Sequence, residues 1–434
     1  MSKIALVLLP PFWPNTPPIA LASLKGFLAG QGIIARTFDY NNRFFSRVPE
    51  RLKKEWLKSC NTFLEENIFS LMREHAPEEF KNMLDELLSY EIIGFSCYKS
   101  NFDITIKIAR LLKQKNEKIK IIFGGPEISR SYFKTKENFY SATRGVADFL
   151  AAGEGEKPLL DYILDKTTGN TALFDELETL NNIPIPDYSD FDFKDYPRGD
   201  TVSLMFSRGC PRKCAFCAEK FLYKKLRFFP ADRIIEEIHF HKARGISNFI
   251  FHDSLINADF KKLEELLDKI IAEFGSIKWS GQIAVRKTMP EELFAKIKRS
   301  GAYHLFVGLE TGSNRTLARM NKGFTQEDAL LFFKKLTAHG ISFGVSLITG
   351  YPGETNEDFK ESLEFLIKNK QFIPKIEQVN PFVYYDGISL PEDADYKKCE
   401  DAVRRAREFI SVLKKEGFKI TNAFTLNLVE EKWK

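Results

Sequence analysis

Apolar runs of strand length alternate with helical patterns along most of this 434-residue chain. "KIALVLLPP" (3–11) is apolar from Ile4 to Leu9, the pattern of a strand buried on both faces of a parallel sheet. Pro18 then opens a helix, with Ile19, Leu21, Ala22, Leu24 and Leu28 at its apolar positions and Gly30 and Gly32 near its end. Four more strands are predicted at 33–39, 91–98, 118–127 and 146–156, with a helical insertion over about 46–90. This alternation predicts a doubly wound α/β sheet of the Rossmann or flavodoxin type, with ligands at the carboxyl ends of its strands.

The second half repeats the alternation in a different register. Strand-like runs occur at 201–206, 247–253, 277–283, 303–310, 341–350 and 375–382. Helical stretches separate them, such as Phe260–Phe274, apolar at 263, 266, 267, 270, 271 and 274. Six strands alternating with helices predict a partial (β/α)6 TIM-like barrel, whose chemistry belongs at the strands' C-terminal ends. The expected boundaries are 1–165, a linker over 166–199, 200–385, and a helical tail over 386–434. "LNNIPIPDYSDFDFKDYP" (180–197), with three prolines, reads as an extended connector. "DADYKKCEDAVRRAREFISVLKKEGFK" reads as one amphipathic helix followed by a short strand or coil, placed to cover the barrel mouth.

Composition narrows the classes. Sixty-four basic and 59 acidic side chains leave a net charge of +5, so no strong polyelectrolyte partner such as nucleic acid is implied. No apolar run approaches the roughly 18 residues of a spanning helix. The opening apolar run stops at Pro10 and Pro11 with no small-residue cleavage site after it, so a strand is expected there rather than a signal peptide. The expectation is a cytoplasmic chain whose clustered cysteines serve a metal or catalysis rather than disulfides. The 40 phenylalanines are read as core, and no G-x-G-x-x-G opens a helix.

"SRGCPRKCAFCAEK" (207–220) holds three of the six cysteines, Cys210, Cys214 and Cys217, right after the first barrel strand. A zinc site needs a closed fourth ligand, usually from a second C-x-x-C or paired histidines. Cys60, Cys97 and Cys399 are isolated, and His239 and His241, two apart on a helix, point away from each other. Three thiolates without a fourth ligand suit an iron–sulfur cluster with one iron open to an external ligand. The three-then-two spacing, with aromatic Phe216 before the last cysteine, resembles the radical S-adenosylmethionine (SAM) superfamily. A structural zinc knuckle is the competing reading. The resemblance implies a 4Fe–4S cluster on Cys210, Cys214 and Cys217, with SAM chelating the open iron.

Other strand ends carry the resemblance further. In "GLETGS" (308–313), Glu310 looks like the family's ribose- or amino-contacting acid. In "SLITGYPGE" (346–354), Ile348 and Gly350 look like adenine-side contacts. "FHDS" (251–254) stands where the family has a Gly-Gly-Glu-like stretch, so Asp253 and Ser254 take the place of the amino-group contact. Arg286 is the candidate for the SAM carboxylate, and Phe216 joins the SAM-binding set.

The glycine- and proline-rich strand ends of the first half resemble the cobalamin-binding domain that precedes many radical SAM domains. The resemblance covers about 3–165 and 200–385, and so points to cobalamin-dependent radical SAM enzymes. It implies cobalamin contacts at Phe12 and Trp13; at Ser96, Cys97, Tyr98 and Asn101; at Gly124, Gly125, Pro126 and Glu127; and at Gly153, Glu154, Gly155 and Glu156. No Asp-x-His-x-x-Gly motif is present, and the only histidine before residue 239 is His75, in the helical insertion. The resemblance implies a base-off cobalamin without a histidine ligand, as is usual in that family.

The activity so implied is methylation of an unactivated carbon. One SAM methylates cobalamin; a second is cleaved to a 5′-deoxyadenosyl radical that abstracts hydrogen, and the substrate radical takes the methyl group. Radical cyclisation or rearrangement without methyl transfer is the alternative, and a cobalamin-binding sensor with a vestigial cluster is a third. Methylthiolation of transfer RNA is disfavoured, since that family has further N-terminal cysteines and a basic tail domain. An electron donor such as flavodoxin or ferredoxin is expected, and the substrate is a small molecule, peptide or protein.

Overall fold

The computed structural model describes residues 3–62, 65–134, 143–167, 169, 176–384, 388, 390 and 399–421. The chain divides into two compact units, Met1–Ser203 with Phe221–Lys224, and Leu204–Lys220 with Lys225–Lys434.

The first unit is built on five strands: β1 (Ile4–Leu8), β2 (Ala35–Asp39), β3 (Ile92–Ser96), β4 (Lys120–Gly124) and β5 (Phe149–Ala151). Their order is β2-β1-β3-β4-β5 and every pairing is parallel. This is the flavodoxin-type order, and its switch point falls between β1 and β3. Alternation along β1 feeds two cores. Ala5, Val7 and Leu9 join Phe38, Trp56, Met72, Met83 and Ile121 on one face. Ile4, Leu6 and Leu8 join Leu21, Leu28, Ile122 and Phe149 on the other. The helical insertion is real, with helices Glu50–Thr62, Glu65–His75 and Pro77–Leu87 thickening the first of these cores.

The expected connector is extended in backbone, yet it is not a loose tether. Asp190 accepts hydrogen bonds from Thr37 N at 2.9 Å and Thr37 Oγ1 at 3.1 Å, and pairs with Lys25 at 2.7 Å. Tyr196 donates to Asp39 at 2.9 Å. Gly26 lets the connector approach, since a Cβ there would lie 2.6 Å from the Ile185 carbonyl oxygen. Charge pairing with the first helix and β2 is what fixes this segment, and it belongs to the first unit.

A second sheet runs β13-β12-β11-β10-β9-β6. Its strands are β6 (Thr201–Leu204), β9 (Asn248–Phe251), β10 (Lys278–Ile283), β11 (Ala302–Glu310), β12 (Phe343–Thr349) and β13 (Ile376–Pro381). A separate two-residue ladder pairs β7 (Ser207–Arg208) with β8 (Arg227–Phe228), antiparallel. Strands in chain order, parallel from β9 to β13 and joined by helices, are the expected partial barrel. Phe249, Phe251, Trp279, Leu305, Val307, Val345 and Leu347 are buried. Period-two alternation sets Ile250, His252, Ser280, Gln282, Phe306 and Ser346 on the opposite face.

Local chemistry fixes the helix ends. The predicted helix Phe260–Phe274 is found with those bounds; Asp259 caps its start and Gly275, at φ 68°, its end. Thr325 with Asp328, and Thr355 with Asp358, form reciprocal capping boxes at the helices after β11 and β12. The tail forms the helix Cys399–Lys415, then a single parallel bridge from Ile420 to Ile376 of the edge strand β13. The side chain of Cys399 lies outside the described residues.

Candidate functional site

The cysteine loop leaves β6 and is pinched at its neck by the β7–β8 ladder. Gly209 sits at the pinch with φ 93°, where a Cβ would lie 2.4 Å from the Lys225 carbonyl oxygen. Only glycine suits that crossing. Beneath the neck lies Asp253, buried, with both carboxylate oxygens engaged: one accepts from Phe206 N at 3.1 Å, the other from Ser207 Oγ at 2.5 Å. Burial pushes its carboxyl up to about 6. Asp253 thus supports the neck of the loop from below, with one hydrogen bond on each carboxylate oxygen. Ser254 is tied up as well, donating to Glu219.

On the opposite side, the segment after helix Asn314–Arg319 holds the loop. Ala215 N donates to Met320 O at 3.0 Å, and Asn321 Nδ2 donates to Lys213 O at 2.9 Å. Arg212 donates to the carbonyls of Lys322 and Val285, the latter at 2.6 Å. Lys322 pairs with Glu310 at 3.0 Å, and both side chains are buried. The same ammonium stands 5.6 Å from the ring centroids of Phe216 and of Phe324. Glu310 reaches this pair from a positive φ of 72° at the end of β11, so the acid expected to meet SAM is already neutralised by a neighbour.

The three thiols are half-buried neighbours. Burial pushes the Cys217 thiol up to about 12 and raises that of Cys210. Each is also raised by charge on the other cysteines, while backbone N–H groups of Arg212 and Glu219 point at the sulfurs of Cys210 and Cys217. Cys210 packs against Leu255, Ala258, Ala284, Leu226 and Phe228. Arg212 lies beside Cys210 and Cys214, and its buried Nε has no hydrogen-bond partner. Arg286 stands close enough to Arg212 to act on it electrostatically, and its own guanidinium lies 4.7 Å from the Phe260 ring and donates to Ala258 O at 3.2 Å.

Among the described residues no three His, Cys, Asp or Glu side chains converge into a ready cage for a single metal ion. The loop fits a larger anionic group: three soft donors with N–H groups aimed at sulfur, and an orphaned guanidinium N–H beside them. Cys210, Cys214 and Cys217 are the residues that would hold a 4Fe–4S cluster.

Tyr351, after β12, donates through its hydroxyl to Arg319 O at 3.3 Å, one residue before the Met320 carbonyl that holds Ala215 of the cysteine loop. Ile348 is half-buried nearby in sequence, on the face of β12 opposite the helices. The structure therefore brings Phe216, Glu310 and Tyr351 around the cysteine loop. Arg212, Lys322 and Tyr351 were not legible as site residues. Lys322 lies in a turn without periodic pattern, and its role depends on a strand 12 positions away. Gln282 carries a readable signal, since alternation within β10 exposes it opposite the core.

In the first unit, the loops after β1, β3, β4 and β5 form a continuous edge. Phe12 and Tyr98 lie with ring centroids 4.4 Å apart, bridging the switch point. Ser100 donates to Pro11 O at 2.8 Å. Gly125, at φ 99°, allows the β4 loop to press on Cys97, whose N and O would lie within 2.9 Å of a Cβ there. Gly153 N donates to Ser129 Oγ at 2.8 Å. Phe12, Trp13, Ser96, Tyr98, Gly124, Gly125, Pro126, Gly153 and Gly155 are half-buried along this edge.

Five of the expected cobalamin contacts turn inward. Cys97 lies in the core, where burial pushes its thiol well up. Asn101 donates to Leu9 O at 2.9 Å and accepts from Tyr98 N at 2.8 Å. Glu127 binds Arg130, Glu154 accepts from Leu177 N at 2.6 Å, and Glu156 is buried at a helix start. These five side chains brace the framework behind the edge.

An α/β chain with a flavodoxin-type sheet, and an open three-cysteine loop at the strand ends of a partial barrel, is the class that the geometry defines. Comparison with known proteins agrees. Residues 13–163 match the family model described as B12 binding domain, and residues 204–366 match that described as Radical SAM superfamily. The chain carries a B12-binding domain followed by a radical SAM domain.

An uncharacterized methyltransferase of Pyrococcus horikoshii is 27% identical over 64% of this chain and 64% of its own length. A tRNA-2-methylthio-N(6)-dimethylallyladenosine synthase of Fusobacterium nucleatum is 26% identical over 52% of this chain and 57% of its own. The chain thus spans less than two thirds of these relatives' length. Among solved structures, the radical SAM methyltransferase TsrM of Kitasatospora setae aligns with a TM-score of 0.67 at 16% identity, covering 87% of this chain and 72% of that one. The cobalamin-dependent SAM radical enzyme OxsB aligns with a TM-score of 0.65 at 17% identity, covering 95% and 56%. These two likenesses establish the fold. Among the described residues, no helix is long and apolar enough to cross a membrane.

Proposed function

We propose that this protein is a cobalamin-dependent radical SAM methyltransferase acting on an unactivated carbon. The observation that carries the reading is the open three-thiol loop at the barrel's strand ends, in a chain whose first unit matches the B12 binding domain. When bound, the cluster would supply the electron that cleaves SAM, and the cobalamin would carry the methyl group.

The chain's own residues hold and orient. Cys210, Cys214 and Cys217 anchor the cluster, and Arg212 neutralises charge beside it. Phe216, Ile348 and Tyr351 would line the SAM subsite, with Arg286 as the carboxylate partner. Lys322 and Glu310 fix the loop on which that geometry depends. The half-buried edge of the first unit would hold cobalamin through Phe12, Trp13, Tyr98 and the backbone of Gly124–Pro126. No histidine stands on that edge, so the cobalamin would be held without a histidine ligand, and base-off binding is part of the proposal. An external one-electron donor of the flavodoxin or ferredoxin class is required.

Transfer RNA methylthiolation is the competing reading that a relative's name raises. Cys60 and Cys97, the cysteines of the first unit, are each buried in its core rather than gathered for a second cluster. Incubating anaerobically reconstituted protein with methyl-deuterated SAM and candidate substrates, and reading product mass, tests the proposal. A gain of one labelled methyl group, with 5′-deoxyadenosine formed, is expected. An unchanged mass would favour cyclisation or rearrangement, and added sulfur would favour methylthiolation.

A further inference from the structure

The helix Cys399–Lys415 lies beyond both matched segments, which end at residues 163 and 366. It nevertheless grips the loop after β12 at several points. Gly350, at φ 69°, has its Cα so close to this helix that a Cβ would lie 2.5 Å from both Cα and Cβ of Ala402. Thr349 Oγ1 donates to Ala402 O at 3.3 Å. Gly350 N donates to Glu354 Oε2 at 2.8 Å, and that carboxylate meets Arg405 at 3.5 Å. Arg405 extends the grip, donating to Thr355 O at 3.3 Å and Asn356 Oδ1 at 2.9 Å. Asp401 holds the guanidinium from its own helix at 3.1 Å. The Arg405–Glu354 pair is the sheltered part of the grip, its side chains only 11% and 3% exposed.

We infer that the tail helix is a clasp for the β12 loop, and that Ala402 and Arg405 are positioning residues for the SAM which that loop would hold. The inference rests on the proposed reading of the barrel mouth. The physical argument is one of leverage. Gly350 fixes the backbone between Ile348 and Tyr351, and Tyr351 donates to Arg319 O at 3.3 Å, next to the Met320 carbonyl that accepts from Ala215 N of the cysteine loop at 3.0 Å. Displacing Ala402 displaces the Gly350 backbone, because no side chain cushions the contact. Forcing extra side-chain volume into a packed contact displaces the backbone on either side of it. The sequence hid this role, since Ala402 and Arg405 sit in an ordinary charged amphipathic helix.

The test uses the full chain with its cluster reconstituted. Iron and sulfide content and the visible absorbance report the cluster. The change that SAM causes in the electron paramagnetic resonance signal of the reduced cluster reports SAM binding. Ala402→Leu is expected to weaken SAM binding roughly ten- to a hundredfold with iron content unchanged. Arg405→Gln is expected to weaken it about tenfold, with Arg405→Lys recovering part of the loss. Thermal melts confirm that each variant is folded; should Ala402→Leu fail to fold, the Arg405 pair decides. Wild-type protein binding SAM while folded variants bind it equally well overturns the clasp alone. Cluster-loaded wild-type protein that binds no SAM overturns the reading of the barrel mouth and the clasp with it.

Discussion

Around Cys210–Cys217 the chain sets charged and hydrogen-bonding side chains against a loop: Asp253 below, Arg212 and Lys322 across it, Glu310 behind Lys322. Along the carboxyl edge of the first sheet the polarity is reversed. There Glu127, Glu154, Glu156 and Asn101 face inward, and what remains at the edge is aromatic rings and glycine backbone. The difference matches the two kinds of ligand. Three thiolates and an anionic cluster need fixed donors and cations close by. A broad, flat macrocycle needs surfaces the backbone can approach closely. Charge at a strand end is therefore no guide to ligand contact; the partner of that charge decides.

The sharpest way to break the comparison is to unpair the buried charges behind the cysteine loop. Lys322→Met leaves Glu310 buried without its partner, and a loss of about 3–5 kcal/mol in the second unit's stability is expected by denaturant titration. Combining it with Glu310→Gln should restore most of the loss, since an apolar contact to Phe216 and Phe324 survives. A double variant as unstable as the single one would mean the pair is not what holds the loop.

Asp253 gives a prediction with a pH sign. Its folded carboxyl is raised, by burial first, from an ordinary 3.8 to about 6. A raised acid stabilises the fold below its unfolded value, and that contribution is lost as pH rises through the folded one. Stability should thus fall by up to about 3 kcal/mol between pH 4 and pH 8 through this group. In Asp253→Asn the amide can still accept from Phe206 N and donate to Ser207, so this slope should vanish. A stability profile unchanged by the substitution would show that Asp253 is not buried in charged form.

A smaller effect tests the first unit. Asn101→Ala removes hydrogen bonds to Leu9 O and Ser96 O and should cost about 1–3 kcal/mol. It should also lower cobalamin retention by loosening the Phe12–Tyr98 contact, while cluster content stays unchanged. Loss of the cluster together with cobalamin would mean the two sites do not assemble independently.

Much of the fold was legible because strand and helix periods differ so clearly. Among the described residues, helix Phe260–Phe274 and the eleven strands of the two larger sheets fall where apolar runs and caps placed them, whereas the short β7–β8 ladder had no such signal. The three cysteines were legible because their ligands are consecutive in one loop. Other site residues were hidden for a physical reason. Asp253 and Glu127 stand at strand ends, where a ligand contact and a structural bond use the same residue types. Only the partners, Ser207 and Arg130, tell them apart, and those lie on other turns or strands. Lys322 and Ala402 had no local signal, since each acts through a neighbour brought near by folding.

The most direct test of the central claim is the cofactor content of anaerobically reconstituted full-length protein offered hydroxocobalamin, beside a Cys210→Ala, Cys214→Ala, Cys217→Ala control. The account predicts a 4Fe–4S absorbance lost in the control, and a base-off cob(II)alamin paramagnetic signal without nitrogen splitting, present in both. A cysteine-dependent cluster with no retained cobalamin would contradict the methyltransferase reading and leave a radical SAM enzyme whose first unit serves another purpose.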